Sequence, residues 1–402
     1  MSDKYLAINC GSSSLKFSLY EMPNEIEIIS GYVEKIGYED SFWTIKINGN
    51  KKINKKYLKD HLDAVNIMID ELINNKIITS LEDIKGIGHR VLHGGEYYDD
   101  SVEINDIVLE KIISLTNLGP LHLPGQIAGI KAMKECIPNV KQVAVFDTAF
   151  HQTMPKENYL YALPYEWYTE YGIRKYGFHG ISHKYITEVM KGKLNKEDVN
   201  LIICHVGSGA SISCIKNGKC YDTSMGLTPL DGLIMGTRCG NIDPSIIEFM
   251  INNSNMELDE VMNNLNKESG LLGICGKNDF RDVVSLKNNN NERSILAYNM
   301  FMDSIIKYIS EYYFELEGDI DAIVFTAGVL ENNIKLREDI INKLSIPMNI
   351  SINSDINNNI GYGCELKEGV ITSNQSKIPV YVIPTSEEVM IVKDTYNIIN
   401  NN

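Results

Sequence analysis

Apolar and polar positions divide the chain into strands and helices from its first residues. Tyr5–Asn9 is a short apolar run, Cys10–Ser14 reads as a turn, and Lys16–Tyr20 alternates again. Ile26–Val33 and Phe42–Ile47 continue the strand pattern, and the second ends at Asn48-Gly49, a strong hairpin signal. Over residues 57–75, Leu58, Leu62, Val65, Met68, Ile69 and Leu72 recur at helical spacing. Strands and helices then alternate: a strand over 84–93, helices near 105–117 and 125–136, and a strand over 142–150.

Residues 201–220 repeat the plan of residues 5–20, with an apolar strand, a Gly/Ser turn and a returning strand. A third strand–glycine segment, 321–333, leads into a helix beginning near Ile334. Two such copies, ~200 residues apart, are too widely spaced for a solenoid and predict a duplicated two-domain α/β protein. Asn288–Asn291 and the Asn-rich C-terminus read as a loop and a frayed end.

Composition narrows the chemistry. The chain has 402 residues, 38 basic and 53 acidic side chains, and a formal net charge of −15, which argues against nucleic acid as the main partner. A small anionic substrate stays compatible, because a few local arginines override the global sign. Eight cysteines form no CxxC pair and read as reduced, mostly buried thiols of a cytosolic protein. The N-terminus has no basic region followed by an apolar stretch, and no apolar run approaches the ~18 residues of a membrane span. The expectation is a soluble intracellular protein without a membrane partner.

Four constellations carry candidate chemistry. In Asn9-Cys-Gly-Ser-Ser-Ser-Leu-Lys16, Gly11 lets the backbone pass close to a ligand, while Ser hydroxyls, N–H groups and Lys16 suit phosphate oxygens. Seven of eight histidines fall between residues 89 and 205, in short Gly-, Pro- or Arg-containing motifs without zinc-ligand spacing. Arg90 and Arg238 lie in GHR and GTRCG, where a guanidinium fork matches carboxylate or phosphate. Asp147 ends the apolar segment Val143–Phe146, a place where ligands sit in α/β folds. Each alone has a plain structural reading: a hairpin turn, a core histidine, a surface ion pair, a helix-capping Asp. Thr385 and Glu388 in PTSEE have capping-box spacing.

Together, INCGSSSLKF, GHRVLHGG, FDTAFHQTMP, YGFHGISHKY, DTSMGLTPLDGLIMGTRCG, ESGLLGICG, NDFRD, FTAGVLEN and PTSEE closely resemble the acetokinase family from Tyr5 to about Thr395. The resemblance implies the actin/Hsp70/sugar-kinase (ribonuclease H-like) fold, two related domains around a central cleft, and a homodimer. It implies an acyl-substrate and phosphate domain over 1–150, with the helix 385–402 packing back on it, and a nucleotide-binding domain over 151–384. The implied reaction is Mg²⁺-dependent, direct in-line phosphoryl transfer between ATP and acetate, with Mn²⁺ able to substitute.

The family's site residues carry over motif by motif. Asn9 and Glu387 match residues that place Mg²⁺, and Ser12, Ser14 and Lys16 match phosphate-loop positions. Arg90 matches the carboxylate-binding arginine, Arg238 the arginine steadying the phosphoryl group, Asp147 the catalytic aspartate and His179 the transition-state stabiliser. His122 falls on an active-site histidine. Leu92, Leu121, Phe178 and Pro229 map to the acyl pocket. His205, Val206, Gly207, Ser208, Gly209, Asp279, Phe280, Arg281, Gly328, Val329, Leu330, Glu331 and Asn332 match nucleotide-binding segments. An acetate carboxylate is already a nucleophile at neutral pH, with a pKa near ~4, so Asp147 is expected to orient Arg90 or a metal-bound water rather than abstract a proton.

The chain also departs from the family pattern. HVGSG replaces HLGNG, and Leu330 replaces the second glycine of GIGEN, where a Cβ is expected to strain the backbone and crowd an adenine. One residue is missing between Cys275 and Asp279, and Asn241, Leu123 and Ile181 stand where an acid, an Asn and a Thr are usual. The alternatives are propionate or another short carboxylate as acceptor, a different donor such as pyrophosphate, or a non-catalytic nucleotide-binding paralogue. Leu92 stands where valine is usual, and the added methylene should shrink the acyl pocket. Acetate is therefore expected to be favoured over propionate on the ~1–3 kcal/mol scale of one methylene. Equal kcat/KM for acetate, propionate and butyrate would contradict this.

Overall fold

Gly11 donates its amide to the Ser14 carbonyl at 2.9 Å and reverses the chain between β1 (Asp3–Cys10) and β2 (Ser14–Met22), setting Asn9 opposite Lys16. The computed structural model describes residues 3–401. β3 (Ile26–Glu34), β4 (Phe42–Ile47) and β5 (Asn50–Lys55) extend this hairpin antiparallel. Asn48 and Gly49 take φ of 48° and 80°, as a tight hairpin turn requires. On the other side of β1, β6 (Ile84–Val91) and β8 (Lys141–Phe146) pair in parallel, and β7 (Val102–Glu103) closes the edge. The order is β5-β4-β3-β2-β1-β6-β8-β7.

These strands belong to a first unit that runs to Gln152 and takes back the chain from Ser386 onward. Its core sets Leu6, Ile8, Phe17 and Ile45 of the sheet with Val65, Met68 and Leu72 of α1 (His61–Asn74). α1 begins later than the apolar spacing suggests, because Asp60 caps it by accepting the amides of Leu62 and Asp63. Leu58 shares the helical phase but is buried from extended chain. α2 (Asp106–Ser114) and α3 (Leu123–Cys136) follow. The C-terminal helix Glu387–Asn400 lies on β6, where a side chain at Gly88 would strike Thr395 and Ile391. Its N-cap is Ser386 rather than Thr385: the Thr385 hydroxyl instead pairs with that of Ser182 at 2.7 Å, so the capping-box pattern is not used.

The second unit, Thr153–Thr385, repeats the plan. β9 (Leu201–Val206) and β10 (Ala210–Lys216) form its hairpin, β11 (Lys219–Thr223) extends it, and β12 (Ala322–Thr326) and β14 (Val380–Val382) run parallel to β9. With β13 (Gly369–Val370) at the edge, the order is β11-β10-β9-β12-β14-β13. The runs β3-β2-β1-β6-β8 and β11-β10-β9-β12-β14 share one pattern, three antiparallel strands followed by two parallel ones. The duplication read from the sequence is thus a duplication of sheets.

All eight cysteines are free, but only Cys10, Cys204, Cys214 and Cys220 are buried; the other four are half-buried, so the expectation of mostly buried thiols is corrected. Burial pushes the Cys10 thiol up to about 12, which leaves it unreactive beside the Gly11 turn. No helix among the described residues is long and apolar enough to cross a membrane.

His89 on β6 is 2% exposed, with Nε2 2.7 Å from the Gln142 side-chain oxygen. Burial, opposed by that hydrogen bond, lowers its pKa from 6.5 to about 4. The unfolded chain therefore binds the extra proton first, and stability intact above pH 6.5 is lost as pH falls toward 4. The loss at this one site is at most on the order of 3 kcal/mol. Urea midpoints at neutral and acid pH should show it, and His89→Gln should remove part of the difference; an unchanged pH slope would exclude His89 as its source.

Candidate active site

In the first unit the chain end, β6 and β8 converge on one cluster. Asp147 follows β8, is 0% exposed, and is fixed by its amide donating to the Val91 carbonyl at 2.9 Å. Arg90 near the end of β6 donates to it bidentately, with Nε 3.1 Å and Nη2 2.7 Å from Oδ2. Its remaining nitrogen, Nη1, lies 3.7 Å from Oε2 of Glu387. Burial works against the charge on Arg90, but Asp147 and Glu387 outweigh it and hold the guanidinium more firmly protonated than usual. Asp147 thus has both oxygens committed to orienting Arg90, which is the geometry of a positioning carboxylate rather than a base.

The β1–β2 hairpin is tied to the residue next to Glu387. Ser12 and Lys16 are exposed, Ser14 accepts the Gly11 amide through its carbonyl, and Lys16 ion-pairs with Glu388. Two supports had no signal in the motif. His61 Nε2 sits 2.8 Å from the Gly11 carbonyl oxygen, and Gly125 on α3 lets that helix touch the loop, since a Cβ there would collide with Gly11 and lie 2.9 Å from the Ser12 nitrogen. His122 is the N-cap residue of α3. Leu92 is buried, with its amide donating to the Gln126 side chain at 2.9 Å, whereas Leu121 is 54% exposed.

The second unit carries the other candidates. His179 heads the helix Gly180–Leu194 with φ 58°, a left-handed conformation uncommon for a non-glycine residue. Its Nδ1 lies 2.9 Å from the Ser211 hydroxyl on β10, and its ring stacks on His205 at 4.2 Å. His205 is held by Ser182 at 2.8 Å. A Cβ on Gly209 would lie 3.5 Å from Nε2 of His179 and 3.6 Å from Nη1 of Arg238, so both face the same glycine. Arg238 donates to the Pro229 carbonyl at 3.1 Å, and among the described residues no carboxylate pairs with it. Burial lowers its pKa with nothing to oppose it, which makes this half-buried guanidinium receptive to an anion. Phe178 is buried beside His179.

The nucleotide segments divide. Val206 is buried in β9, Gly207 donates to the Gly209 carbonyl at 2.9 Å, and exposed Ser208 accepts the Gly236 amide at 3.2 Å. Asp279 caps the helix Phe280–Asn288 and pairs with the exposed Arg281 at 2.6 Å. The Phe280 side chain is 6% exposed and its ring lies 4.9 Å from Phe301, so it is a packing group of the core. The expectation for Leu330 is also overturned. Gly328, Val329, Leu330, Glu331 and Asn332 form a short helix, Ala327–Asn332, in which Ala327 takes the positive φ of 66° and Leu330 is fully buried. Its backbone is helical and its side chain points into the core. Glu331 accepts the amides of Ala327 at 2.7 Å and Thr385 at 3.2 Å. The fully buried Arg337 holds this helix by donating to the carbonyls of Leu330 and Glu331.

The other departures are structural as well. Asn241 accepts the Gly232 amide and donates to the Tyr308 hydroxyl, while Leu123 and Ile181 are core residues. Among the clustered histidines, His89, His93, His151 and His183 are buried at 0–2% exposure, so the clustering reflects packing as much as chemistry.

Two sheets of one ribonuclease H-like pattern define a phosphotransferase of the actin/Hsp70/sugar-kinase class. The family model of the acetokinase family matches residues 4–393, and the chain belongs to that family, whose members are kinases acting on a carboxyl group. It is 49% identical over 394 residues to the acetate kinase of Bacillus subtilis strain 168, covering 97% of this chain and 98% of that protein. The crystal structure of Porphyromonas gingivalis acetate kinase is similar with a TM-score of 0.93 at 40% identity, covering 99% of this chain and 100% of that one. A propionate kinase from Francisella tularensis subsp. tularensis SCHU S4 superposes with a TM-score of 0.92 at 42% identity, covering 98% and 99% of the two chains.

Proposed function

We propose that the protein is an Mg²⁺-dependent acetate kinase that transfers the γ-phosphoryl group of ATP directly to acetate, reversibly, in the cytoplasm. The observation that carries this reading is Arg238, a half-buried guanidinium without a carboxylate partner among the described residues, facing Gly209 beside Nε2 of His179. Donors aimed at one point without a counter-charge suit the equatorial oxygens of a phosphoryl group in transfer.

Arg90 binds the acetate carboxylate on the first unit, and Asp147 keeps its fork from rotating. His179 and Arg238 stabilise the phosphoryl group on the second unit. The acceptor is already ionised, so no side chain is required as a strong base. Asn9 and Glu387 offer an amide oxygen and a carboxylate, the hard oxygen donors that Mg²⁺ or Mn²⁺ takes, and too few to displace its waters and phosphate ligands. When bound, that ion neutralises charge on the transferring phosphate. Acetate is preferred to propionate because Leu92, a buried side chain one methylene larger than valine, narrows the acyl pocket. Pyrophosphate is not favoured, since Leu330, the departure that raised it, lies in the core.

We also infer a homodimer. Tyr165, Trp167, Tyr171 and Phe249 of the second unit are 46–69% exposed, more large apolar surface than one unit usually leaves bare. Sedimentation at micromolar concentration should give twice the 45.3 kDa chain mass, and a monomer would refute it.

Hydroxylamine trapping of acetyl phosphate tests the reaction, with ATP and pyrophosphate run in parallel. Product should form with ATP and Mg²⁺ alone. Arg238→Ala should lower kcat by ~10²–10³, while Arg90→Ala should act mainly on the KM for acetate. No trapped product with ATP, or equal product with pyrophosphate, would overturn the reading.

A further inference from the structure

Away from the residues assigned above, the second unit encloses a cluster of opposed charges. Asp222 near the end of β11 is 5% exposed, and its Oδ1 lies 2.5 Å from Nζ of Lys175 and 2.7 Å from the Thr223 amide. Glu311 and Glu315, one turn apart on the helix Glu292–Glu315, bring carboxylate oxygens within 4.8 Å of those of Asp222. Glu315 also shares a hydrogen bond with Asp222. Its Oε2 and the hydroxyl of the fully buried Tyr312 have no hydrogen-bond partner.

Three carboxyl groups around one ammonium cannot all ionise out of water without large cost. A divalent cation is not called for, because the Lys175 ammonium already occupies the position on Asp222 that a metal would take. The remaining way to balance the cluster is a proton, and the Glu315–Asp222 hydrogen bond holds one.

The cluster ties together the two segments that lead to the phosphoryl side of the site. Lys175 stands four residues before His179, with its amide donating to the Tyr159 carbonyl at 2.7 Å. The next two amides, Tyr176 and Gly177, both donate to the Gly226 carbonyl, at 3.0 and 3.3 Å. Gly226 lies just past the end of β11, on the stretch running from Asp222 to Pro229 and Arg238. The side-chain bond Lys175–Asp222 thus joins, from the β11 end, two stretches of chain that also meet at Gly226.

We propose that Lys175, Asp222 and Glu315 form a hydrogen-bonded clamp that positions His179, in its left-handed backbone conformation, and the Pro229–Arg238 loop for phosphoryl transfer. The proposal rests on the reading of His179 as the group that stabilises the transferring phosphoryl. All three are positioning residues, acting through backbone rather than on substrate.

The clamp has a pH signature. Burial first, then Asp222 and Glu311, push the Glu315 carboxyl up to about 8 against the opposing pull of Lys175. Glu311 is raised as well, by burial and Asp222. The other groups facing the cluster are Cys214 on β10, Cys220 on β11, and Tyr308 and Tyr312 on the helix. Burial raises all four, so they stay uncharged at neutral and mildly alkaline pH. Ionising Glu315 removes the donor to Asp222 and sets a further negative charge against a single ammonium, so the clamp loosens as pH passes about 8.

The test uses the full chain and three variants, with kcat and KM for acetate measured from neutral to alkaline pH. Lys175→Met should lower kcat at least ~tenfold, the scale of a small displacement of catalytic groups, while the KM for acetate, set by Arg90 on the other unit, moves less than ~twofold. Glu315→Gln keeps a donor to Asp222 but cannot ionise, so its kcat should lose the wild-type fall near pH 8. An Glu315→Gln profile identical to wild type, or a wild-type kcat in Lys175→Met, overturns the clamp. Should Lys175→Met fail to fold, the Glu315→Gln profile decides. His179→Asn separates the two levels: unchanged kcat there refutes the role of His179 itself, whereas lost kcat there with wild-type behaviour in both clamp variants refutes the clamp alone.

Discussion

The first unit depends on one buried charge. Asp147 has no solvent to stabilise it, and a carboxylate in that position persists only if a cation meets both its oxygens. Arg90 does so with two nitrogens, and this fixes the third at Glu387, the first residue of the C-terminal helix. One pair therefore links the ends of two parallel strands to the end of the chain. The hairpin is brought in from the other side, by Lys16 on Glu388. What looks like a set of separate motifs is a single electrostatic arrangement, in which removing Arg90 leaves the fully buried Asp147 without its cation.

The second unit solves a different problem. Its Arg238 guanidinium, unlike Arg90, has no carboxylate partner among the described residues. His179 and Arg238 point toward a glycine, and the polar groups behind them, Ser211, Ser182 and Thr385, hold rings and backbone rather than neutralising them. Neutral hydroxyls are suited to this, because they fix orientation without cancelling the positive field that a phosphoryl group requires. The fully buried Arg337 does equivalent work for the short helix Ala327–Asn332, donating to four backbone carbonyls and to the Asn357 side-chain amide oxygen.

Much of this is legible in the amino-acid sequence. Strand periodicity, the Asn48-Gly49 turn and the repeated strand–turn–strand plan are local signals, and they gave the sheets and their duplication. The pairing of Arg90 with Asp147 was reachable from chemistry, since an acetate acceptor needs no base and leaves the aspartate free to orient. What was illegible is what depends on distance in sequence. His61 and Gly125 support the Gly11 turn from far along the chain, and neither carries a motif. Leu330 and Phe280 misled for the opposite reason: they stand inside strong motifs, yet helical geometry turns both into the core. Thr385 had capping spacing but found a better partner in Ser182, more than two hundred residues away.

The return of the last helix to the first unit has a consequence for the order of events during synthesis. Glu387 and Glu388 are synthesised after the whole of the second unit, and the sheet they serve before it. Until then β6 lacks the helix whose Ile391 and Thr395 press against Gly88, and Arg90 lacks its second carboxylate. A nascent chain holding every other part of the first unit is thus still without the acidic residues that complete its charge arrangement. Until that segment docks, the first unit is left with an open sheet face, the kind of exposed apolar surface that chaperones bind.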